Sequence, residues 1–209
     1  MAMISLAHPS FREDLLQQAK ERGLVARERT LKESLYGVYP AHMEEIRDLG
    51  DVKMTFRPVK PGDIRHIQEH FYNMDKEDIA TRFFRIRNIF YEDHLQRVSE
   101  IDYVKNMTIV AYVGEGNFGR IVGMGEYVLE PGKAMAEVAF SLLKDWQGRG
   151  VASILLEKLV SAARENGISG FIAQTSKTNT SMIKLFERLP YPVESTLDGD
   201  YFIMTAQFQ

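Results

Sequence analysis

The order of elements in the chain predicts an α/β (α+β) fold, with a mixed central sheet and helices on both of its faces. Three observations carry that expectation. Residues 107–113 and 120–129 read as two strands joined by a Gly-rich turn, an antiparallel hairpin. Residues 135–142 read as a strand that leads through Trp146-Gln147-Gly148-Arg149-Gly150 into the strongest helical pattern of the chain, 151–166. A strand at 170–175, a helix at 180–189 and a strand at 201–208 continue the alternation. Hairpin and crossover connections in one chain imply both antiparallel and parallel pairing.

From the start, Pro9-Ser10 before Phe11-Arg12-Glu13-Asp14 reads as a helix opening, with Ser10 as N-cap and acids in the first turn. Phe11, Leu15 and Ala19 recur at helical spacing, and Gly23 ends the run. Residues 24–51 contain no convincing strand; Tyr36-Gly37 and Tyr39-Pro40 read as turns. The character changes near residue 52, which divides the chain into a helical N-terminal arm, 1–51, and a main domain, 52–209. Val52, Met54, Phe56 and Pro58 alternate with polar positions as a strand, closed by a Lys60-Pro61-Gly62-Asp63 turn. Asp63 can cap a helix carrying Ile64, Ile67 and Phe71. Asp75 with Asp78 opens another, carrying Ile79, Phe83 and Ile86, and a short helix covers 93–100.

The 209 residues are 44% hydrophobic and 26% charged, enough for a buried core and unlike a disordered or fibrous chain. Net charge is −3 with pI about 6.0, and Lys and Arg are scattered, so no nucleic-acid footprint exists. No apolar run reaches the ~18 residues of a membrane helix. Residues 1–7 lack a basic leader and stop at His8-Pro9, unlike a secretory signal. There is no cysteine, which excludes disulfides, thiolate zinc sites and a cysteine nucleophile. A cytoplasmic location is the expectation by elimination.

Three motifs can carry chemistry. Gly114-Glu115-Gly116-Asn117-Phe118-Gly119 matches G-x-G-x-x-G, but strand follows where a dinucleotide site needs a helix, so it reads as a hairpin turn. His66-Ile67-Gln68-Glu69-His70 matches the H-x-x-E-H zinc-protease pattern. It lacks an evident third ligand and reads as a solvated helix face opposite Ile64, Ile67 and Phe71; no metal is expected. The third, Trp146-Gln147-Gly148-Arg149-Gly150-Val151-Ala152, follows a strand and opens a helix with Val151, Ile154, Leu155, Leu159 and Ala162 on one face. Unpaired N–H groups and the helix dipole favour a phosphate there, and glycines let it approach the backbone. No Gly-Lys-Ser/Thr follows, so this is not a nucleoside-triphosphate loop.

Gln147-x-x-Gly150-x-Ala152 after such a strand resembles the acyl-CoA pyrophosphate motif of the GNAT N-acetyltransferase superfamily. Asn179, opening a helix that carries Met182, Leu185 and Leu189, is similar to that superfamily's next block. The likeness spans about residues 54–208. Phe56-Arg57-Pro58-Val59-Lys60-Pro61-Gly62-Asp63, Thr81-Arg82-Phe83-Phe84, Ile101-Asp102-Tyr103 and Ala136-Glu137-Val138-Ala139 are similar to bacterial protein-lysine acetyltransferases. Residues 4–51, especially Ile4-Ser5-Leu6-Ala7-His8-Pro9 and Phe11-Arg12-Glu13-Asp14-Leu15-Leu16, resemble the C-terminal end of acetyl-CoA hydrolase/transferase proteins. The resemblance implies a mostly antiparallel GNAT-like sheet, acetyl-CoA as co-substrate, an amine acceptor that is a protein lysine, and an attached hydrolase/transferase domain.

Transfer to an amine requires its deprotonation, since a lysine with pKa ~10.4 is almost wholly charged at neutral pH. A carboxylate near the amine can take that proton. Glu137 is the candidate: strand alternation puts it on one face with Ala139 and Ser141, and it stands where the resembling enzymes carry their catalytic glutamate. Main-chain N–H groups around Phe140 to Leu142 can hold an oxyanion. In GNAT enzymes this strand splays from its neighbour, and the pantetheine arm runs along it. The residues expected to hold acetyl-CoA are therefore Phe140, Leu142, Gln147, Gly148, Arg149, Gly150, Val151, Ala152 and Asn179. Many relatives protonate the leaving thiol with a tyrosine where this chain has Phe186; Tyr191 is an alternative, and a thiol of pKa ~8.5 can also leave as thiolate. A competing expectation is a non-catalytic acyl-CoA-sensing module that regulates an attached hydrolase/transferase. A smaller amine acceptor also stays open.

Overall fold

A computed structural model describes residues 9–24, 38–75, 101–115 and 118–208. Helix α1 is Pro9–Glu21. A hairpin follows, of β1 (Glu45–Leu49) and β2 (Val52–Pro58), and then helix α2 (Ile64–Tyr72). Next come β3 (Asn106–Val113), β4 (Arg120–Val128) and β5 (Met135–Leu142). Helix α3 (Val151–Glu165), β6 (Gly170–Ser176), helix α4 (Thr180–Phe186), β7 (Val193–Asp198) and β8 (Tyr201–Gln207) complete the order.

The strands form one sheet in the order β1-β2-β3-β4-β5-β6-β8-β7. Every neighbouring pair is antiparallel except β5 and β6, which run parallel only from Met135↔Gly170 to Glu137↔Ile172. This is the mixed α/β sheet that the element order predicts, mostly antiparallel as the family resemblance implies.

Strands β3 and β4 are apolar almost without a break because both of their faces are covered. Helix α3 presses Val151, Leu155 and Leu159, all fully buried, onto one face, over Gly123 and Gly125 of β4. Each such side chain contributes about 1.5–3 kcal/mol through burial. Helix α2 covers the opposite face with Ile67 and Phe71, as its spacing predicts. At the base of α2, Arg57 and Asp63 form a buried two-pronged ion pair at 2.6 and 2.8 Å. Asp63 also accepts from the Lys60 N–H (2.7 Å). Burial and the nearby Asp63 carboxylate push the Tyr103 hydroxyl up to about 12.

Several expectations are corrected. Helix α1 starts at Pro9, so Ser10 lies within its span, and no acid occupies the first turn. Leu16 is buried and Leu15 exposed, which rotates the packing face by one residue. Gly23 does end the helix, with the Leu24 N–H reaching back to Ala19 O (2.8 Å). The 24–51 stretch contains a strand after all. Strand β1 is short, charged and at the sheet edge, so its burial alternates only weakly and its pairing partner, not its own pattern, makes it a strand. A boundary at 51/52 falls in the turn of the β1–β2 hairpin.

Salt bridges strap this region to α3, Lys158 to Glu45 (2.7 Å) and Arg47 to Glu157 (3.1 Å), and a hydrogen bond joins His42 Nε2 to Glu165 (3.0 Å). The carboxylate of Asp63 serves Arg57 rather than capping α2. Strand β7, exposed and polar, was not expected, and α4 stops at Phe186, short of Leu189. The helices expected at 78–100 lie outside the described residues.

Candidate active site

The parallel register of β5 and β6 ends at Glu137↔Ile172, and beyond it the two strands part. Strand β6 stays paired with β8 through Ser176, while β5 stays paired with β4 through Leu142. A cleft of about 400 Å³ opens between them. Its β5 wall is Val138 to Leu142, and its far wall is Gln174, Thr175 and the segment Thr178 to Met182. Gln147, Gly148 and Ala152 stand at one end.

The Leu143 N–H donates to Val122 O (2.9 Å). By antiparallel alternation the odd-numbered residues of β5 therefore bond toward β4. Phe140 and Leu142 aim their N–H and C=O groups the other way, into the cleft, whereas the Val138 N–H still closes the last parallel bridge, at Glu137↔Ile172. Gln147 confirms this for Leu142, whose carbonyl accepts from Gln147 Nε2 at 3.4 Å.

The glycine loop ends at the N-terminus of α3. Gly148 and Gly150 adopt φ of +72° and +83°, a region that side-chain-bearing residues avoid, and nothing lies within 4 Å of where their Cβ atoms would be. The main chain is thus open to a ligand at both residues. The Ser153 and Ile154 N–H groups both bond Gly150 O, which leaves the Val151 and Ala152 N–H groups without an intrahelical acceptor by position. Val151 buries its side chain in the core beneath them. Arg149 folds its guanidinium over the Trp146 ring, 5.0 Å from the centroid. Arg188 hydrogen-bonds Ser153 Oγ (3.1 Å), bringing a second cation to this helix end. No local pattern in the sequence ties residue 188 to residue 153, so only the fold brings Arg188 to this site.

Asn179 caps α4, its Oδ1 accepting from the Met182 N–H (3.1 Å), and it also lines the cleft. Phe140, Leu142, Gln147, Gly148, Ala152 and Asn179 are thus all brought to the cleft wall. Arg149, Gly150 and Val151 complete the loop at its end. Glu137 is exposed and stands at the fork, one residue before the cleft wall begins. Phe186 is fully buried in the core, and Tyr191 packs on Phe208 with ring centroids 5.1 Å apart, outside the cleft.

The His66–His70 pair does not form the solvated face that the sequence suggested. His70 is 1% exposed, with Nδ1 3.2 Å from Ile121 O and Nε2 3.0 Å from Ser141 Oγ. His66 stacks edge-on against Tyr112, with a buried Nδ1 that has no partner among the described residues. The periodicity of Ile64, Ile67 and Phe71 had assigned the buried face too narrowly. Among the described residues no three His, Asp or Glu side chains converge as a metal site. Gly119 of the G-x-G-x-x-G stretch leads into β4, as a hairpin turn requires, and its missing Cβ makes room for the Tyr112 ring.

The splayed strand pair and the glycine loop lie in a stretch of sequence that matches a family model. Residues 72–191 fit the acetyltransferase (GNAT) family. The chain belongs to this family. It is 33% identical over 134 residues to the acetyltransferase Pat of Mycolicibacterium smegmatis, a match covering 64% of this chain and 39% of that protein. It is 31% identical over 132 residues to an acetyltransferase of Pseudomonas aeruginosa, covering 62% of this chain and 69% of that one. The crystal structure of the GNAT domain of S. lividans PAT superposes with a TM-score of 0.70 at 28% identity, covering 82% of this chain and all of that domain. The chain thus spans well under half the length of the mycobacterial relative. No helix among the described residues is long and apolar enough to cross a membrane.

Proposed function

We propose that this GNAT domain transfers an acetyl group from acetyl-CoA to the side-chain amine of a protein lysine. The observation that carries the reading is the cleft between β5 and β6, which begins at Glu137 and ends on the open glycine loop at the start of α3. The space above Gly148 and Gly150, the orphan N–H groups of Val151 and Ala152, and the Arg188 guanidinium suit a diphosphate. Phe140 and Leu142 present backbone donors and acceptors along the route from that loop to the fork, where an amide-containing arm can pair with them. Asn179 and Gln147 supply side-chain amides beside it.

In this reading Glu137 takes the proton from the attacking ammonium, directly or through one water, as nitrogen bonds to the thioester carbon. Main-chain N–H groups of the β5 edge hold the carbonyl oxygen as it gains charge. The sulfur departs as thiolate, because Phe186 has no proton to give and Tyr191 faces Phe208. The lysine acceptor is supported by likeness to the Pat relatives. Residues 1–51 are read as the end of a preceding acetyl-CoA hydrolase/transferase region, except that 45–51 fold with the transferase sheet.

Titration calorimetry with acetyl-CoA, followed by mass spectrometry of lysine peptides incubated with both, tests the proposal. Binding with a 1:1 stoichiometry and acetylated lysine is the expected result. No binding of acetyl-CoA would sink it.

A further inference from the structure

The cleft wall includes one side chain whose polarity is set from behind. Ser141 is 6% exposed and lines the cleft, and its hydroxyl meets Nε2 of the buried His70 at 3.0 Å. The other ring nitrogen, Nδ1, lies 3.2 Å from the Ile121 carbonyl. A carbonyl oxygen can only accept, so Nδ1 carries the ring hydrogen. In the neutral imidazole Nε2 is then a bare acceptor, and its partner must donate. The Ser141 O–H therefore points at His70, and both lone pairs of the oxygen are left to accept from a donor in the cleft that Ser141 lines. A serine free to rotate would offer either a donor or an acceptor; this one is held as an acceptor. Its place on β5 is between Phe140 and Leu142, along the stretch that carries the amide arm in the function proposed above.

We infer that Ser141 accepts a hydrogen bond from an N–H or O–H group of the pantetheine arm of coenzyme A, with His70 as the positioning residue that holds the serine in its acceptor state. The inference rests on the acetyl-CoA reading and adds to it a side-chain contact that selects for a donor on the ligand. Its atoms come from α2, β4 and β5, so it also ties the helix over this face to the strand that lines the cleft.

The test uses two probes on the full chain: coenzyme A, and adenosine 3′,5′-bisphosphate, which keeps phosphates but has no arm. Ser141→Ala should weaken coenzyme A about three- to tenfold, the range of one neutral hydrogen bond, and leave the bisphosphate unchanged. Ser141→Thr, which keeps the hydroxyl, should recover most of the loss. The His70→Ala, Ser141→Ala double variant should bind coenzyme A no more weakly than Ser141→Ala alone, since the two act as one unit. Wild-type affinity for coenzyme A in Ser141→Ala, or an equal loss for both probes, overturns the inference alone. Wild-type protein that binds neither probe overturns the acetyl-CoA reading, and the inference falls with it.

Discussion

Glu137 and Ile172 are the last two residues at which β5 and β6 lie in parallel register. One residue later the strands belong to separate ladders, and the gap between them is the cleft. Placing the candidate base at the fork makes the end of strand pairing and the start of the chemistry a single feature. Proton removal and arm binding are then separate along β5, which makes them separable by mutation.

Glu137→Gln should bind acetyl-CoA as the wild type does, because Glu137 lies outside the cleft wall. Acetylation of a lysine peptide at neutral pH should drop by about a hundredfold or more, the loss of a positioned base. Calorimetry and initial rates on one preparation measure both. Undiminished turnover removes Glu137 from the mechanism.

Gly150→Asp separates binding from stability. Aspartate tolerates the left-handed region better than most residues, so the strain at φ +83° should lower the melting temperature by only a few degrees. Its carboxylate would nevertheless stand where the diphosphate is proposed to sit, and coenzyme A affinity should drop by at least tenfold at low salt. Unchanged affinity would place the phosphates elsewhere.

Phe186→Tyr tests whether a hydroxyl at this position can serve the leaving thiol. Phe186 is fully buried, so the new hydroxyl would enter the core without a partner at a cost of about 1–3 kcal/mol. Urea unfolding should show that loss, and turnover should not rise. A faster enzyme would contradict the placement of Phe186 in the core.

Asp63→Asn leaves Arg57 without its charged partner at the base of α2, where the two side chains are 12% and 8% exposed. Breaking one side of so buried a pair typically costs about 3–5 kcal/mol. Denaturant unfolding at neutral pH measures it; a loss below about 1 kcal/mol would mean that water reaches the pair.

Hydrogen bonds from Arg47 and then Lys158 hold the Glu45 carboxyl at about 2, below its ordinary 4.5. A folded-state value below the unfolded one stabilises the protein above the unfolded pKa, and the benefit is lost as pH falls from 4.5 toward 2. Glu45 is more than a third exposed, so solvent screening keeps the effect under about 1 kcal/mol. Glu45→Gln should flatten the stability profile in that window and leave it unchanged in shape above pH 6.

The elements with strong internal periodicity could be read from the chain alone. Val151, Leu155 and Leu159 announce α3, the hairpin of β3 and β4 is announced by two apolar runs around glycines, and Gln147 to Ala152 announce a phosphate loop by their place between strand and helix. Strands β1 and β7 could not be read this way. Residues such as Glu45, Arg47, Glu194 and Asp198 have no buried face to impose alternation, and only a neighbouring strand supplies the hydrogen bonds that make them strands.

The site divides along the same line. The glycines sit in a local pattern that carries its own chemistry, whereas Glu137 and Asn179 are marked by resemblance to the family. Arg188 beside Ser153, and His70 behind Ser141, are partners 35 and 71 residues apart. Sequence determined which segments could become helix, strand and phosphate loop, because backbone propensity and side-chain period act over a few residues. Tertiary structure decided which polar groups meet, where β5 leaves β6, and which histidine is buried, because those depend on packing between elements that are remote along the chain.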